Sequence, residues 1–252
     1  MATLLAGALA TLVFCAPGYP GAAGDAQPFV DKFAAAAAAS AGWPAGSLAA
    51  IYDPTEEGGL AKLGSSDAVL AFVPYPFYVE HAASLHLTPL AQADVTGTGT
   101  QERWSLVAKS GAVSGPPSLA GYTLLSVAGY APDFIRHSAL QAWALPADVK
   151  VESTGQILSA LRRVASGEKV AALLDQTQAA SLPTLPFATR LETVTQSPQL
   201  PVALIVVVDS RLPAARSRAF QAGLLKMGHS AQAADALGSL RLKGFTQPRL
   251  PQ

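Results

Sequence analysis

Short apolar runs that end in Gly/Pro turns alternate with stretches of helical spacing along this chain. Residues 11–15 (TLVFC) run into Pro17-Gly18-Tyr19-Pro20-Gly21, the way a buried strand ends. A helix is predicted over 28–40, with Pro28 early, where its missing N–H costs nothing, and an alanine tract of high helix propensity behind it. Strands follow over 48–52 and 68–73, the second closing on Pro74-Tyr75-Pro76, and residues 77–85 suit a helix. Further strands are read at 104–108 (WSLVA) and 122–127 (YTLLSV), flanking a Gly/Pro/Ser loop over 110–118. A helix over 133–143 and a short strand over 149–152 come next. Residues 154–166 carry Ile157, Leu158, Leu161 and Val164 on one stripe, and Gly167 is placed to end that helix in the left-handed region. A strand over 169–174 stops at Asp175. Residues 201–208 (PVALIVVV) form the longest β-branched run, and helices over 213–227 and 231–240 close the chain.

This alternation is the signature of an α/β protein with parallel sheets flanked by helices. It offers more strands than one compact sheet needs, and two sheets joined by two crossing strands would hold them. Half the chain is apolar and 13% is charged, against a typical charged share of about 25%, so material for a core is ample. Lys plus Arg and Asp plus Glu each number 17, and no dense basic run occurs. Charge alone therefore draws the chain to neither nucleic acid nor anionic lipid. Cys15 is the only cysteine, which rules out an internal disulfide and a multi-cysteine zinc site. His81, His86, His137 and His229 do not form a metal-binding helical pair, and no metal or cofactor is expected.

Residues 1–10 (MATLLAGALA) are apolar and end in the small-x-small triplet Ala8-Leu9-Ala10. They read as the remnant of a signal peptide whose basic start lies upstream, which implies export. The alternatives are a plain N-terminal strand and a lipid anchor on Cys15, for which Phe14 is a poor neighbour.

Four stretches, in order, resemble the phosphonate-binding group of periplasmic solute-binding proteins. They are TLVFCAPGYPG; DAVLAFVPYPFYVEHA with LTPLA; VASGEKVAALLDQTQ; and SPQLPVALIVVVDSRLP followed by LLKMGHSAQAADAL. The resemblance covers most of the chain and implies the type II periplasmic-binding-protein fold. Lobe one would comprise 11–103 plus 209–252 and lobe two 104–208, each a mainly parallel sheet, with WSLVA and ALIVVV crossing as the hinge. It also implies a monomer, exported to the periplasm of a bacterium, that captures a small ligand, phosphonate- or phosphate-like among the options. The partner would be an ABC-transporter permease or a membrane sensor kinase.

The turns at Pro17–Gly21, Pro74–Tyr78, Gly129–Pro132 and Asp175–Thr177 are expected to meet at the interlobe cleft, beyond the carboxyl ends of the strands. Candidate ligand contacts are Pro17, Gly18, Tyr19, Tyr75, Tyr78, Gly129, Tyr130, Ala131, Asp175 and Ser197. Asp175 matches the family's carboxylate for ligand amine or hydroxyl groups, yet it would serve equally as a helix N-cap. The tyrosines offer an apolar face and a hydroxyl, though single tyrosines commonly just pack. The turn Gly129-Tyr130-Ala131-Pro132-Asp133 lacks the serine and threonine hydroxyls with which phosphonate binders hold the anion. Arg136 and His137 could compensate, but solvent-facing positions suit them better. Glu56-Glu57-Gly58-Gly59 reads as a surface loop, Ser197 as hinge or ligand contact, and Trp43, Trp104 and Trp143 as packing residues. An enzyme using Cys15 as nucleophile is the remaining alternative, and it lacks a neighbouring base in the sequence.

Overall fold

The computed structural model describes residues 10–18 and 22–251. The chain begins with β1 (Ala10–Cys15), α1 (Ala23–Ser40), β2 (Leu48–Asp53), α2 (Glu56–Leu63), β3 (Ala68–Pro74), α3 (Tyr75–His81) and β4 (Thr88–Val95). The two-residue β5 (Gln101–Glu102) carries it across to β6 (Ser105–Lys109), β7 (Thr123–Ser126), α4 (Pro132–Phe134), β8 (Lys150–Ser153), α5 (Ile157–Ser166), β9 (Val170–Leu174), α6 (Gln176–Ala180) and β10 (Leu191–Gln196). Then β11 (Leu200–Pro201) brings it back to β12 (Ala203–Val207), α7 (Ala214–Met227), α8 (Ala234–Ser239) and β13 (Leu242–Thr246).

Two sheets result. One has six strands in the order β13-β4-β12-β3-β1-β2, the other five in the order β10-β6-β9-β7-β8. Between them β5 and β11 form an antiparallel ribbon, with Leu200 opposite Glu102. This ribbon is the crossing point, which corrects the expected hinge strands and lobe limits. WSLVA lies inside the five-stranded sheet. The run ending at Val208 lies inside the six-stranded one, where β12 pairs with both β3 and β4. The chain returns to lobe one at β11, ahead of β12. Parallel pairing is confined to β2-β1-β3 and to β8-β7-β9. The remaining pairs are antiparallel.

Local chemistry explains most departures from the sequence reading. Helix α1 starts at Ala23, so Pro28 falls in its second turn, inside the helix, where its missing N–H forfeits one intrahelical bond. The Glu56-Glu57-Gly58-Gly59 segment is the start of α2, not a surface loop. Thr55 caps it by accepting from Gly58 N (3.1 Å), and both glutamates sit in the first turn, where the helix dipole favours them. The helix expected over 133–143 is α4 followed by a π turn over Ile135–Ala139, closed by Leu140 N donating to Ile135 O at 2.9 Å. Gly167 caps α5 with φ 92°, as its position required.

One apolar cluster runs from Val13, Ala71 and Val73 in lobe one, through Trp104, to Leu124, Phe134 and Ala171 in lobe two. Trp104 is fully buried at the ribbon and stacks edge-on against Phe134 (5.2 Å). Its backbone N–H donates to Ser197 Oγ (2.9 Å), and Ser197 N returns a bond to Trp104 O (2.8 Å). Ser197 therefore fastens the hinge. Of residues 1–10, only Ala10 is described; it opens β1, paired with Leu48. Among the described residues, no helix is long and apolar enough to cross a membrane.

Candidate functional site

A cavity of ≈510 Å³ lies at the carboxyl ends of β1, β3 and β4 and is faced by the start of α6 from the other lobe. This is a common size for a small-molecule site. Most of its wall is apolar: Phe14 and Phe72 from adjacent strands, Val73 and Pro74 beside them, and Val202 and Ala203 from the returning chain. The polar groups are few and come from distant parts of the sequence. Lobe two contributes Asp175, Thr177 and Gln178; the ribbon contributes Glu102; lobe one contributes Tyr52, Thr98 and Arg241.

Glu102 and Asp175 are both nearly sealed from solvent. Burial, helped by the charge of Asp175, pushes the Glu102 carboxyl up to about 8. The Gln176 N–H and the Trp104 indole pull the other way. The indole Nε1 is itself buried and meets no acceptor in bonding geometry, so its influence comes from proximity. Asp175 is likewise raised by burial, opposed by the N–H groups of Gln178 and Thr177. Its Oδ1 accepts from Gln178 N at 2.8 Å, and Gln178 Oε1 accepts from Asp175 N at 3.2 Å, a reciprocal cap on α6. Asp175 thus caps the helix and also lines the cavity. Arg241 lines it too, from a left-handed conformation (φ 55°).

The other expected contact residues that the structure describes do not line this cavity. Tyr19 lies outside the described residues. Pro17 is buried, and Gly18 (φ 82°) approaches lobe two so closely that a Cβ there would meet Val127 O at 2.4 Å. Tyr75 is buried, stacks on Tyr78 (6.1 Å) and meets Phe134 edge-on (6.0 Å). Gly129 is pressed against Glu152, Ala131 is buried, and Tyr130 packs on the shared apolar cluster. Tyr75 against Phe134 and Gly18 against Val127 are contacts between the lobes, whereas Gly129 packs within lobe two. Neither Arg136 nor His137 lines the cavity: Arg136 Nη2 donates to Val149 O (2.9 Å), and His137 is exposed. Sequence reasoning missed Glu102, Tyr52 and Arg241. Nothing around them is distinctive until folding joins the ribbon, the end of β2 and the start of β13.

Cys15 lines the cavity wall, but its thiol turns toward Thr55 O (3.6 Å) and the bare face of Gly59. Burial first, then the charges of Asp53 and Glu56, push it up to about 12, so thiolate is scarce at neutral pH. Among the described residues, no group of three His, Cys, Asp or Glu side chains converges as a metal site.

A family model for the periplasmic substrate-binding protein of phosphonate ABC transporters matches residues 69–250. No curated protein sequence matches the chain. Among solved structures, XAC2383 of Xanthomonas citri bound to ATP is 14% identical, with a TM-score of 0.69 over 97% of this chain and 92% of that one. A binding-protein component of an ABC phosphonate transporter from Pseudomonas aeruginosa is 14% identical, with a TM-score of 0.62 over 95% and 82% of the two chains. PhnD1 of Prochlorococcus marinus in complex with methylphosphonate is 13% identical, with a TM-score of 0.56 over 94% and 92%. At these identities, the solved structures share the fold.

Proposed function

Because the chain belongs to the family of periplasmic substrate-binding proteins of phosphonate ABC transporters, we propose that it captures a small solute between its lobes, outside the cytoplasm, and presents it to a transporter permease. The observation that carries this reading is the cavity itself, which takes walls from lobe one, the ribbon and lobe two at once. A solute touching both lobes lowers the free energy of the closed arrangement relative to the open one, and that difference is what a permease reads. A membrane sensor kinase could read the same closure, but no feature of this chain favours it. The role is binding without turnover: the Cys15 thiol is held neutral, and Cys15→Ala should retain solute binding.

The lining favours a solute with an apolar body and an amine. The two buried carboxyls can ionise to compensate a cation, whereas a dianionic phosphonate beside them gains no such compensation. An acidic group on the same solute would sit toward Arg241. Binding an ammonium group would favour the ionised form of Glu102, so uptake near neutral pH should release a proton.

Asp175→Ala removes both a wall group and a helix cap. The expected cost to stability is about 1 kcal/mol, the usual value for a lost N-cap. Affinity for a responding amine should fall at least about tenfold, within the range for losing a charged hydrogen bond. Isothermal titration together with urea denaturation separates the two effects. An unchanged affinity would remove Asp175 from the site.

A further inference from the structure

The register of three neighbouring strands places three aromatic side chains in one row. Phe14 of β1 is paired with Tyr52 of β2 on one side and with Phe72 of β3 on the other. Residues opposite one another in a parallel sheet point to the same face, so the three rings stand together, and all three line the cavity. Adjacent strands are about 4.8 Å apart, so the row is about 10 Å wide, broader than a single planar ring. Phe14, in the middle, is buried and meets Phe72 edge-on, with ring centroids 5.3 Å apart. Tyr52 and Phe72 are only half-buried and keep ring surface in the cavity wall.

The charged groups come from elsewhere. Glu102 is supplied by the ribbon and Asp175 by the start of α6 in lobe two, 4% and 5% exposed, while all three rings belong to lobe one. A cation is the partner two such sequestered carboxyls can accept, and the rest of its solute then has the aromatic row for a wall. An aliphatic body there gains only from the area it buries. An aromatic body gains that and also edge-to-face or offset pairing, which operates at centroid distances of about 4.5–7 Å.

We infer that the solute is an arylalkylamine, whose ring packs on the Tyr52–Phe14–Phe72 row of lobe one while its ammonium group reaches Glu102 and Asp175. The inference rests on the capture of an amine-bearing solute proposed above and adds which body the amine carries. Such a solute touches both lobes through different chemistry, ring on one side and charge on the other. A saturated ring of the same size fills the same space and lacks the quadrupole, so the row tells the two apart.

The test is isothermal titration of the full chain with 2-phenylethylamine and 2-cyclohexylethylamine, which share the ammonium group and the linker. The saturated ring is the more hydrophobic, so burial alone would favour it. The wild type should instead bind the phenyl compound about two- to tenfold more tightly, the share that ring pairing adds beyond area. Tyr52→Leu, in the edge strand β2, and Phe72→Leu should each lower that ratio and leave the affinity for the cyclohexyl compound within about twofold. Tyr52→Phe should keep the ratio. Phe72 also packs on Phe33 and Phe245, so if its variant does not fold, the half-buried Tyr52 decides the matter. Equal or tighter binding of the cyclohexyl compound by the wild type, or a preference untouched in Tyr52→Leu, overturns the inference and leaves amine capture standing. A folded protein that binds neither compound overturns both.

Discussion

Glu102→Gln should make the ligand-free protein more stable at pH 8 than the wild type, by on the order of 4 kcal/mol, with the difference vanishing toward pH 4.5. The sign follows from where the proton sits. In the folded wild type, Glu102 holds its proton up to about 8, whereas an unfolded chain releases it near the ordinary 4.5. Between those limits the native state binds one more proton than the unfolded state, so stability falls as pH rises, by about 1.4 kcal/mol per unit. The contribution is complete below the unfolded pKa and gone above the folded one. Glutamine has the shape and no charge, so the variant lacks this slope. Groups remote from Glu102 contribute alike to both proteins, so the difference between their urea-derived stabilities at pH 5, 6.5 and 8 reports Glu102 together with its coupling to Asp175. Parallel curves would show that the carboxyl is not the buried, desolvated group the structure describes.

Gly129→Ala should destabilise the protein by about 3 kcal/mol, at the upper end of overpacking costs. A Cβ at this position would lie 2.2 Å from Glu152 O and 2.4 Å from Ser153 N, both backbone atoms. Those atoms belong to β8, whose parallel pairing with β7 fixes the strand in place. No side chain can swing aside, so the turn after β7 or the β8 edge must shift, which sets this site apart from an exposed glycine such as Gly238. A chemical melt reading less than 1 kcal/mol of loss would mean that the turn stands further from β8.

Gly129 also shows how far sequence can be read. Its place after an apolar run marked it as special, and it is, but for backbone contact between β7 and β8 and not for a ligand. The strands that the sequence advertised are the uniformly apolar ones. Strand β4 hid because Pro89 lies inside it; the structure tolerates Pro89 opposite Val206, at a register shift in the pairing with β12. Strand β13 hid behind Gly244, which is needed where its backbone passes close to Gly228. The two glycines of α2 argued for a loop, and they are present because Asp53 and the Cys15 thiol occupy the space a Cβ would fill.

The site divides along the same line. Asp175 was legible because a strand end followed by a capping pattern is local information. Glu102 was not, because its burial depends on the β5–β11 ribbon, on Trp104 and on Asp175, which meet only in the folded chain. The hydroxyl-poor turn after Gly129 packs against protein and does not line the cavity.

The central claim, capture of an amine-bearing solute between the lobes, is tested most directly by the melting temperature of the purified full chain. The panel would contain inorganic phosphate, methylphosphonate, primary amines, amino acids and short organic acids. A ligand at a hundred times its Kd stabilises the folded state by about 2.7 kcal/mol, which a melting curve registers as a shift of several degrees. The account predicts that amine-bearing members raise the melting temperature in the wild type and lose about half of that effect or more in Asp175→Ala, while inorganic phosphate raises neither. A folded protein that no member of the panel shifts, or one that phosphate stabilises equally with and without Asp175, would contradict it.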